Sequence, residues 1–478
     1  MHRRTKIVAT LGPATDYEET LRKMIDAGLD VARVNFSHGD ADEHRRRVKD
    51  LREAAQDCGR DVGLLADLQG PKIRVLRFRD HSVELEDGDA FFLDSELGID
   101  EGTKDGVGVA LSTLHLDVNP GDTLLLNDGM ITLQVDRIEG TRLHTTVVNG
   151  GILSNHKGIN KMGGGLSAPA LTDVDRENIK LAVELEADFL AVSFVRDGDD
   201  VRLARRLFEE AGGQGLIVAK VERVEAVENI DSIIEAADVI MVARGDLGVE
   251  MGYAELTGIQ KKLIRKTRRA SKIVITATQM MESMIKSPIP TRAEVSDVSN
   301  AVMDGTDAVM LSGETAVGRY PVKSIRAMSE VCTGAEKYPL PEGRTRHRMG
   351  DYFGRVDEAI AMAVMYTANH LDVSAIIALT ESGSTARWMS RIRSDIPIYA
   401  LTPHVATSRR VSLYRGVIPV AFELTKKMQG KLYRNVFDTL LPRELVEVGD
   451  FVIFTKGDLE GVSGSTNSMT IIEVTKPG

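Results

Sequence analysis

Cysteine is nearly absent. Cys58 and Cys332 are the only two in 478 residues, far apart in the chain, which excludes a disulfide framework and a cysteine-based zinc site. No run approaches the roughly 20 consecutive apolar residues that a membrane helix requires. The opening Met-His-Arg-Arg-Thr-Lys leads straight into an apolar segment and lacks the long apolar core of a signal peptide. A cytoplasmic protein with no membrane partner is the expectation. A basic excess is missing as well: the formal charge is −11 and the pI near 5.5, so nothing stands ready to neutralise nucleic-acid phosphates, and no nucleic-acid partner is expected. The basic clusters at Arg45–Arg47 and Lys261–Arg269 read as solvated helix faces. Aromatics make up 5% of the chain, with a single tryptophan, Trp388, expected to be partly buried.

What is present is a globular composition, 42% hydrophobic and 27% charged, in a length that holds two to four domains. Short apolar runs recur at Ile7–Leu11, Val31–Phe36, Val62–Leu68, Phe189–Phe194, Leu216–Val221, Val239–Ala243, Ile273–Thr278 and Ala308–Leu311. Most are followed by a stretch of helical periodicity, among them Tyr17–Ala27, Asp42–Asp57, Val224–Ala236 and Glu255–Ala270. Near-continuous apolar strands alternating with helices indicate a parallel sheet covered on its outside. Eight such units indicate an α/β fold of the (β/α)₈ TIM-barrel type.

Between Gly70 and Leu166 the rhythm changes to short alternating runs separated by Gly, Asp and Asn turns. This interval, residues 71–166, is expected to be a small inserted β-barrel domain acting as a lid, with Pro71 and Gly163-Gly164-Gly165 as hinges. The catalytic barrel then comprises residues 1–70 and 167–340. A C-terminal α/β domain, 341–478, follows an arginine-rich connection at Pro341–Arg348.

In such a barrel the active site lies at the carboxyl ends of the strands. Those ends are rich in polar groups: Arg33, Asn35 and Ser37 after strand two; Asp67, Lys72 and Arg74 after strand three; Lys220 and Glu222 after strand five; Arg244 and Asp246 after strand six; Thr276, Thr278 and Gln279 after strand seven; Ser312, Glu314 and Thr315 after strand eight. Lys220 and Glu222 point the same way from an extended segment. Glu222 and Asp246, facing a phosphate-bearing substrate, make a natural magnesium site. Arginine forks bind phosphate oxygens, Lys220 suits charge developing on a phosphoryl group or an enolate, and Gly245 and Asp246 precede a short turn whose free backbone N–H groups suit a carboxylate. Neither a Walker loop nor a protein-kinase glycine-rich loop occurs.

The motifs Arg33-Val-Asn-Phe-Ser-His-Gly, Asp67-Leu-Gln-Gly-Pro-Lys-Ile-Arg, Ala219-Lys-Val-Glu, Ala243-Arg-Gly-Asp-Leu-Gly, Thr276-Ala-Thr-Gln-Met-Met-Glu-Ser-Met and Pro290-Thr-Arg-Ala-Glu-Val resemble, in order, those of the pyruvate kinase family. The resemblance implies Mg²⁺- or Mn²⁺-dependent phosphoryl transfer from phosphoenolpyruvate to ADP, giving pyruvate and ATP, in a homotetramer. Carried over by motif, Lys220, Arg33 and Thr278 are catalytic. Glu222 and Asp246 hold the metal, while Gly245, Asp246, Thr278 and Ser312 bind substrate. Asn35, His38, Arg74 and Lys157 serve the nucleotide. Many members of the family bind potassium through positions matching Asn35, Ser37, Asp67 and Leu68, with a glutamate at the position of Lys72. Leucine supplies no side-chain ligand, and a fixed ammonium at Lys72 near Asn35, Ser37 and Asp67 replaces the mobile cation; no potassium requirement is expected.

In the C-terminal domain, Thr380, Ser382, Gly383, Ser384, Thr385 and Arg387 follow a strand and open a helix, an arrangement that can cradle an anion or simply cap the helix. The resemblance makes this loop, with Ser465 and Thr466 as its other wall, the site of a phosphorylated activator, a sugar monophosphate or AMP. Met280, Met281 and Met284 are expected to pack rather than touch a cofactor. Two other classes share parts of this pattern. A metal-dependent lyase acting on pyruvate-like enolates needs the barrel and its carboxylates but neither the lid nor the phosphate groups of Arg33 and Lys220. A non-catalytic sensor of phosphorylated metabolites needs only the C-terminal loop.

Overall fold

The computed structural model describes residues 3–338, 352–392, 394–423, 431–457 and 466–475. The expected boundary at 340/341, the Pro341–Arg348 connection and Ser465 lie outside them.

Eight parallel strands close into a barrel: Lys6–Thr10, Val31–Asn35, Gly63–Asp67, Phe189–Val192, Leu216–Val221, Val239–Ala243, Ile273–Ala277 and Ala308–Leu311. Each hydrogen-bonds its neighbour in chain order, and the eighth pairs with the first through Lys6↔Ala308 to Ala9↔Leu311. Their residues are buried almost without exception, as expected where one face packs on helices and the other fills the barrel. Side chains on the helix face, such as Ile7, Leu64, Leu190, Ile217, Ile240 and Val274, join the large helix-covered core. Interior residues, including Val8, Leu65, Phe189, Val218, Met241 and Ile275, form a second cluster continuous with Val364, Ile376, Val411 and Tyr414 of the C-terminal domain. That domain therefore seals the amino-terminal mouth of the barrel and leaves the opposite mouth for chemistry.

Helix starts are set by local side chains. Thr172 with Asp175 and Thr291 with Glu294 show the pattern: the threonine hydroxyl accepts an amide of the first turn while the acid three residues on accepts the threonine amide, each cap contributing about 1 kcal/mol. Two details differ from the sequence expectation. The stretch Val224–Ala236 is two helices, Val224–Glu228 and Ile230–Ala236, broken at Asn229. Arg47 is buried rather than solvated, because Asp16 takes its guanidinium at 2.7 Å.

The segment between strands three and four carries a six-stranded sheet and a two-stranded sheet around its own core of Val75, Phe78, Leu93, Leu124, Ile131 and Leu143. Its return passes through Gly163, Gly164 and Gly165, all at positive φ (84°, 78° and 95°), a run that only glycine adopts without strain. The C-terminal domain is a five-stranded sheet in the order Val417–Ala421, Ile398–Thr402, Ala375–Leu379, Phe451–Gly457, Thr466–Glu473, with only the last strand antiparallel. It is fastened to the barrel by Arg391, whose guanidinium meets both oxygens of Asp307 at 2.8 and 2.9 Å with both side chains buried.

Candidate active site

The carboxyl ends of strands two to five converge on one buried ion cluster. Lys220 Nζ lies 3.1 Å from Asp67 Oδ1 and 3.0 Å from Glu222 Oε1, and donates to Ser193 Oγ at 2.6 Å. Arg33 Nε donates to the other oxygen of Asp67 at 2.7 Å, and its Nη1 to Thr10 Oγ1 at 2.9 Å. Burial alone would neutralise Lys220, but Asp67 and Glu222 outweigh it and hold the ammonium pKa above its usual value. Burial likewise opposes ionisation of Asp67, and the Lys220 and Arg33 charges overcome it. Glu222 goes the other way: burial and the charges of Asp246 and Asp67 raise its carboxyl against the pull of Lys220, while Phe194 N donates to its Oε2 at 2.7 Å.

A buried carboxyl pushed toward its neutral form beside a second acid marks a place short of positive charge. Asp246 meets one partial remedy, Lys72 Nζ at 3.0 Å, an ammonium that also lies 3.4 Å from Asp128. Burial lowers the Lys72 pKa, and the Asp246 and Asp128 carboxylates more than restore it. A Cβ on Gly158 would meet Lys72 Cε at 2.9 Å, so glycine there makes room for the lysine stem. The expected neighbours of Lys72 are otherwise engaged: Asp67 with Arg33 and Lys220, and Asn35 Oδ1 with the Ser37 amide at 3.2 Å. Lys72 is thus brought to the Glu222–Asp246 side of the cluster. No group of three or more His, Cys, Asp or Glu suited to a metal occurs among the described residues; two carboxylates fit magnesium, which fills its remaining positions with substrate oxygens and water.

Strand six runs straight into a helix, Arg244–Met251, with Asp246 in its first turn. Gly245 N donates to Thr278 Oγ1 at 2.8 Å, which brings the two expected carboxylate-binding residues together. Thr278 and Gln279 sit at φ 67° and 51°, in the left-handed region that non-glycine residues occupy at a cost of roughly 1–3 kcal/mol. Arg244 holds them there, donating to Thr278 O at 2.7 Å and Gln279 O at 3.1 Å while its Nη1 meets Asp297 at 2.6 Å. Ser312 N donates to Glu314 Oε2 at 2.7 Å, and Glu314 Oε1 accepts Met281 N at 3.0 Å. This buried acid cross-ties the seventh and eighth loops. Met280, Met281 and Met284 are fully buried and pack, as expected.

The remaining expected residues lie at the rim. His38 is exposed on the turn after strand two. Arg74 Nη1 donates to His156 O at 2.8 Å, and Arg74 pairs with Gly158 beside Lys157. In the C-terminal loop, Thr380 Oγ1 accepts Gly383 N at 2.9 Å, Ser384 Oγ donates to Asp357 at 3.2 Å, and the Thr385 and Thr466 hydroxyls lie 2.5 Å apart. Arg387 lies over the half-buried Trp388 ring.

Sequence reasoning passed over Ser193 and Thr10, and named Glu314 at its strand end without giving it a role. The fourth strand end was skipped because a serine after an aliphatic run carries no signal; Thr10 and Glu314 were visible as polar residues at strand ends one and eight.

Fold and site together define a phosphotransferase-type (β/α)₈ enzyme: a barrel whose open mouth gathers three cations, Arg33, Lys72 and Lys220, and three acids, Asp67, Glu222 and Asp246, under a β-rich domain. Residues 2–325 match the family model described as pyruvate kinase, barrel domain, and residues 358–472 that described as pyruvate kinase, alpha/beta domain. The chain is 53% identical over 476 residues to pyruvate kinase II of Salmonella typhimurium, covering 99% of each protein. It is 51% identical over 477 residues to the pyruvate kinase of Buchnera aphidicola subsp. Schizaphis graminum, again with 99% of each covered. Against the pyruvate kinase of Bacillus licheniformis it is 42% identical over 478 residues, 99% of this chain and 80% of that one. The chain belongs to the pyruvate kinase family. It is a phosphotransferase whose family acts on phosphoenolpyruvate and ADP with a divalent metal. No helix among the described residues is long and apolar enough to cross a membrane.

Proposed function

We propose that Lys220, Glu222 and Asp246 form the phosphoryl-transfer centre of this enzyme, and that the observation carrying the reading is the Lys220 ammonium held charged between Asp67 and Glu222. In the forward reaction the ADP β-phosphate oxygen forms a bond to phosphorus as the bond to the enol oxygen breaks. Lys220, with Arg33 beside it, neutralises the charge that spreads over the phosphoryl and enolate oxygens. Glu222 and Asp246 would hold Mg²⁺ or Mn²⁺, which supplies electrophilic charge to the substrate oxygens when bound. The Gly245 and Asp246 amides with Thr278 hold the substrate carboxylate, Ser312 also binds substrate, and Thr278 lies where the enolate takes its proton through water. Asn35, His38, Arg74 and Lys157 engage the nucleotide from the rim and the lid.

In this reading residues 71–166 are the lid over a barrel of residues 1–70 and 167–340. Lys72 brings a fixed ammonium into the site, so turnover does not need potassium. The hydroxyl-rich loop Thr380–Arg387, with Thr466 against Thr385 and Ser465 beyond it, takes a phosphorylated activator, a sugar monophosphate or AMP, in residues 341–478. The working assembly is a homotetramer in the cytoplasm. A coupled assay of pyruvate formation from phosphoenolpyruvate and ADP separates this from a lyase or a sensor. Turnover with Mg²⁺ or Mn²⁺ supports it; none with either metal and any effector contradicts it.

A further inference from the structure

The lid's return neck is tied to the barrel by groups that follow directly on the two expected metal carboxylates. Gly163 N donates to the Glu250 carbonyl at 3.0 Å, Gly165 N to Glu225 Oε1 at 2.6 Å, and Arg223 Nη1 to Leu166 O at 3.3 Å. Arg223 and Glu225 lie one and three residues past Glu222. Glu250 lies one turn past Asp246 on the helix Arg244–Met251.

The Glu250 side chain joins three elements. Its Oε1 accepts Asn160 Nδ2 of the lid strand Ile159–Lys161 at 3.2 Å. Its Oε2 accepts Val224 N, the first residue of the helix after barrel strand five, at 3.2 Å. The group is 5% exposed, so both bonds are made away from water, where leaving either amide unpaired is costly.

We infer that Glu250 is a positioning residue for phosphoryl transfer, latching the lid's return neck to the helix and loop that carry Asp246 and Glu222. The inference rests on reading those two as metal ligands and residues 71–166 as a lid. Because the latch shares a helix with Asp246, a shift of that helix reaches the neck directly through Asn160 and Gly163.

Two charged groups act on Glu250 besides its amide partners: Arg223 draws its pKa down and Glu225 pushes it up. Burial outweighs them and raises it from 4.5 to about 7. The latched state therefore binds the proton more tightly than an open, hydrated one. Latching is complete below about pH 4.5 and weakens as pH rises through about 7. An amide keeps one acceptor and no charge, and Asn160 can turn its own amide to meet it.

The test compares the full chain with Glu250→Gln and Glu250→Ala, following hydrogen exchange of the amides at Gly163 and Gly165 and the KM for ADP from pH 6 to 8. The alanine variant should exchange these amides faster and raise the KM for ADP by about tenfold, with the melting profile showing it folded. The glutamine variant should keep a native KM at pH 6 and lose the pH dependence of neck exchange. Native exchange and KM in a folded alanine variant, or an unchanged pH dependence in the glutamine variant, overturns the assignment. Neck exchange reads the latch whatever Asp246 binds, so failure of the latch and failure of the metal reading are told apart.

Discussion

Lys220 Nζ lies 3.0 Å from Glu222 Oε1, two residues along the same chain segment, and the balance on the two groups differs: the lysine is held charged while the glutamate is pushed toward its neutral form. The asymmetry arises because two acids, Asp67 and Glu222, overcome burial at Lys220, whereas at Glu222 burial and the charges of Asp246 and Asp67 outweigh the pull of Lys220. A divalent cation held by Glu222 and Asp246, as proposed, would relieve the repulsion between them. Replacing Asp246 by Asn should raise the Mg²⁺ concentration for half-maximal turnover by tenfold or more, in the range of about 10–100-fold seen when metal sites lose a supporting group. Titration of turnover against Mg²⁺ at saturating substrates checks this; an unchanged half-saturation point speaks against Asp246 as a ligand.

Lys72 makes a separate claim. Its ammonium sits 3.0 Å from Asp246 in a place cleared by Gly158. Turnover measured with a bulky amine counter-ion should stay within tenfold of that in potassium. Lys72→Glu, which replaces the fixed ammonium by an acid, should create a potassium response. A native enzyme that loses more than tenfold without potassium contradicts the reading.

At the C-terminal loop, Ser384→Ala combined with Thr385→Ala removes two hydroxyls, one of which faces Thr466 at 2.5 Å. The ratio of activated to unactivated turnover at sub-saturating phosphoenolpyruvate should fall to about one across sugar phosphates and nucleoside monophosphates, since each lost bond to a charged group is worth roughly 1.5–3 kcal/mol. A native activation ratio removes the loop from the effector site.

The barrel was legible because its strands are buried on both faces. Each is then a continuous apolar run such as Val239–Ala243, and polar residues begin only where the strand leaves the core. Lys220, Glu222 and Asp67 were readable for the same reason. Ser193 was not: its hydroxyl gains meaning only because strand four lies between strands three and five, which sets it on Lys220. The helix Arg244–Met251 was expected as a turn. Two glycines lower its intrinsic propensity, and burial of Leu247 and Val249 overrides them. The direction of Lys72 depends on how the inserted β-rich segment is placed, a long-range matter that residue spacing does not encode.

The central claim is that the Lys220 ammonium neutralises charge in phosphoryl transfer. Its most direct test is the steady-state rate of pyruvate formation from phosphoenolpyruvate and ADP with Mg²⁺, measured for the native chain and a folded Lys220→Met variant. Loss of one preorganised charge of this kind should lower kcat by about 10²–10³-fold or more with little change in the KM for phosphoenolpyruvate. A folded variant that turns over at the native rate would contradict the account.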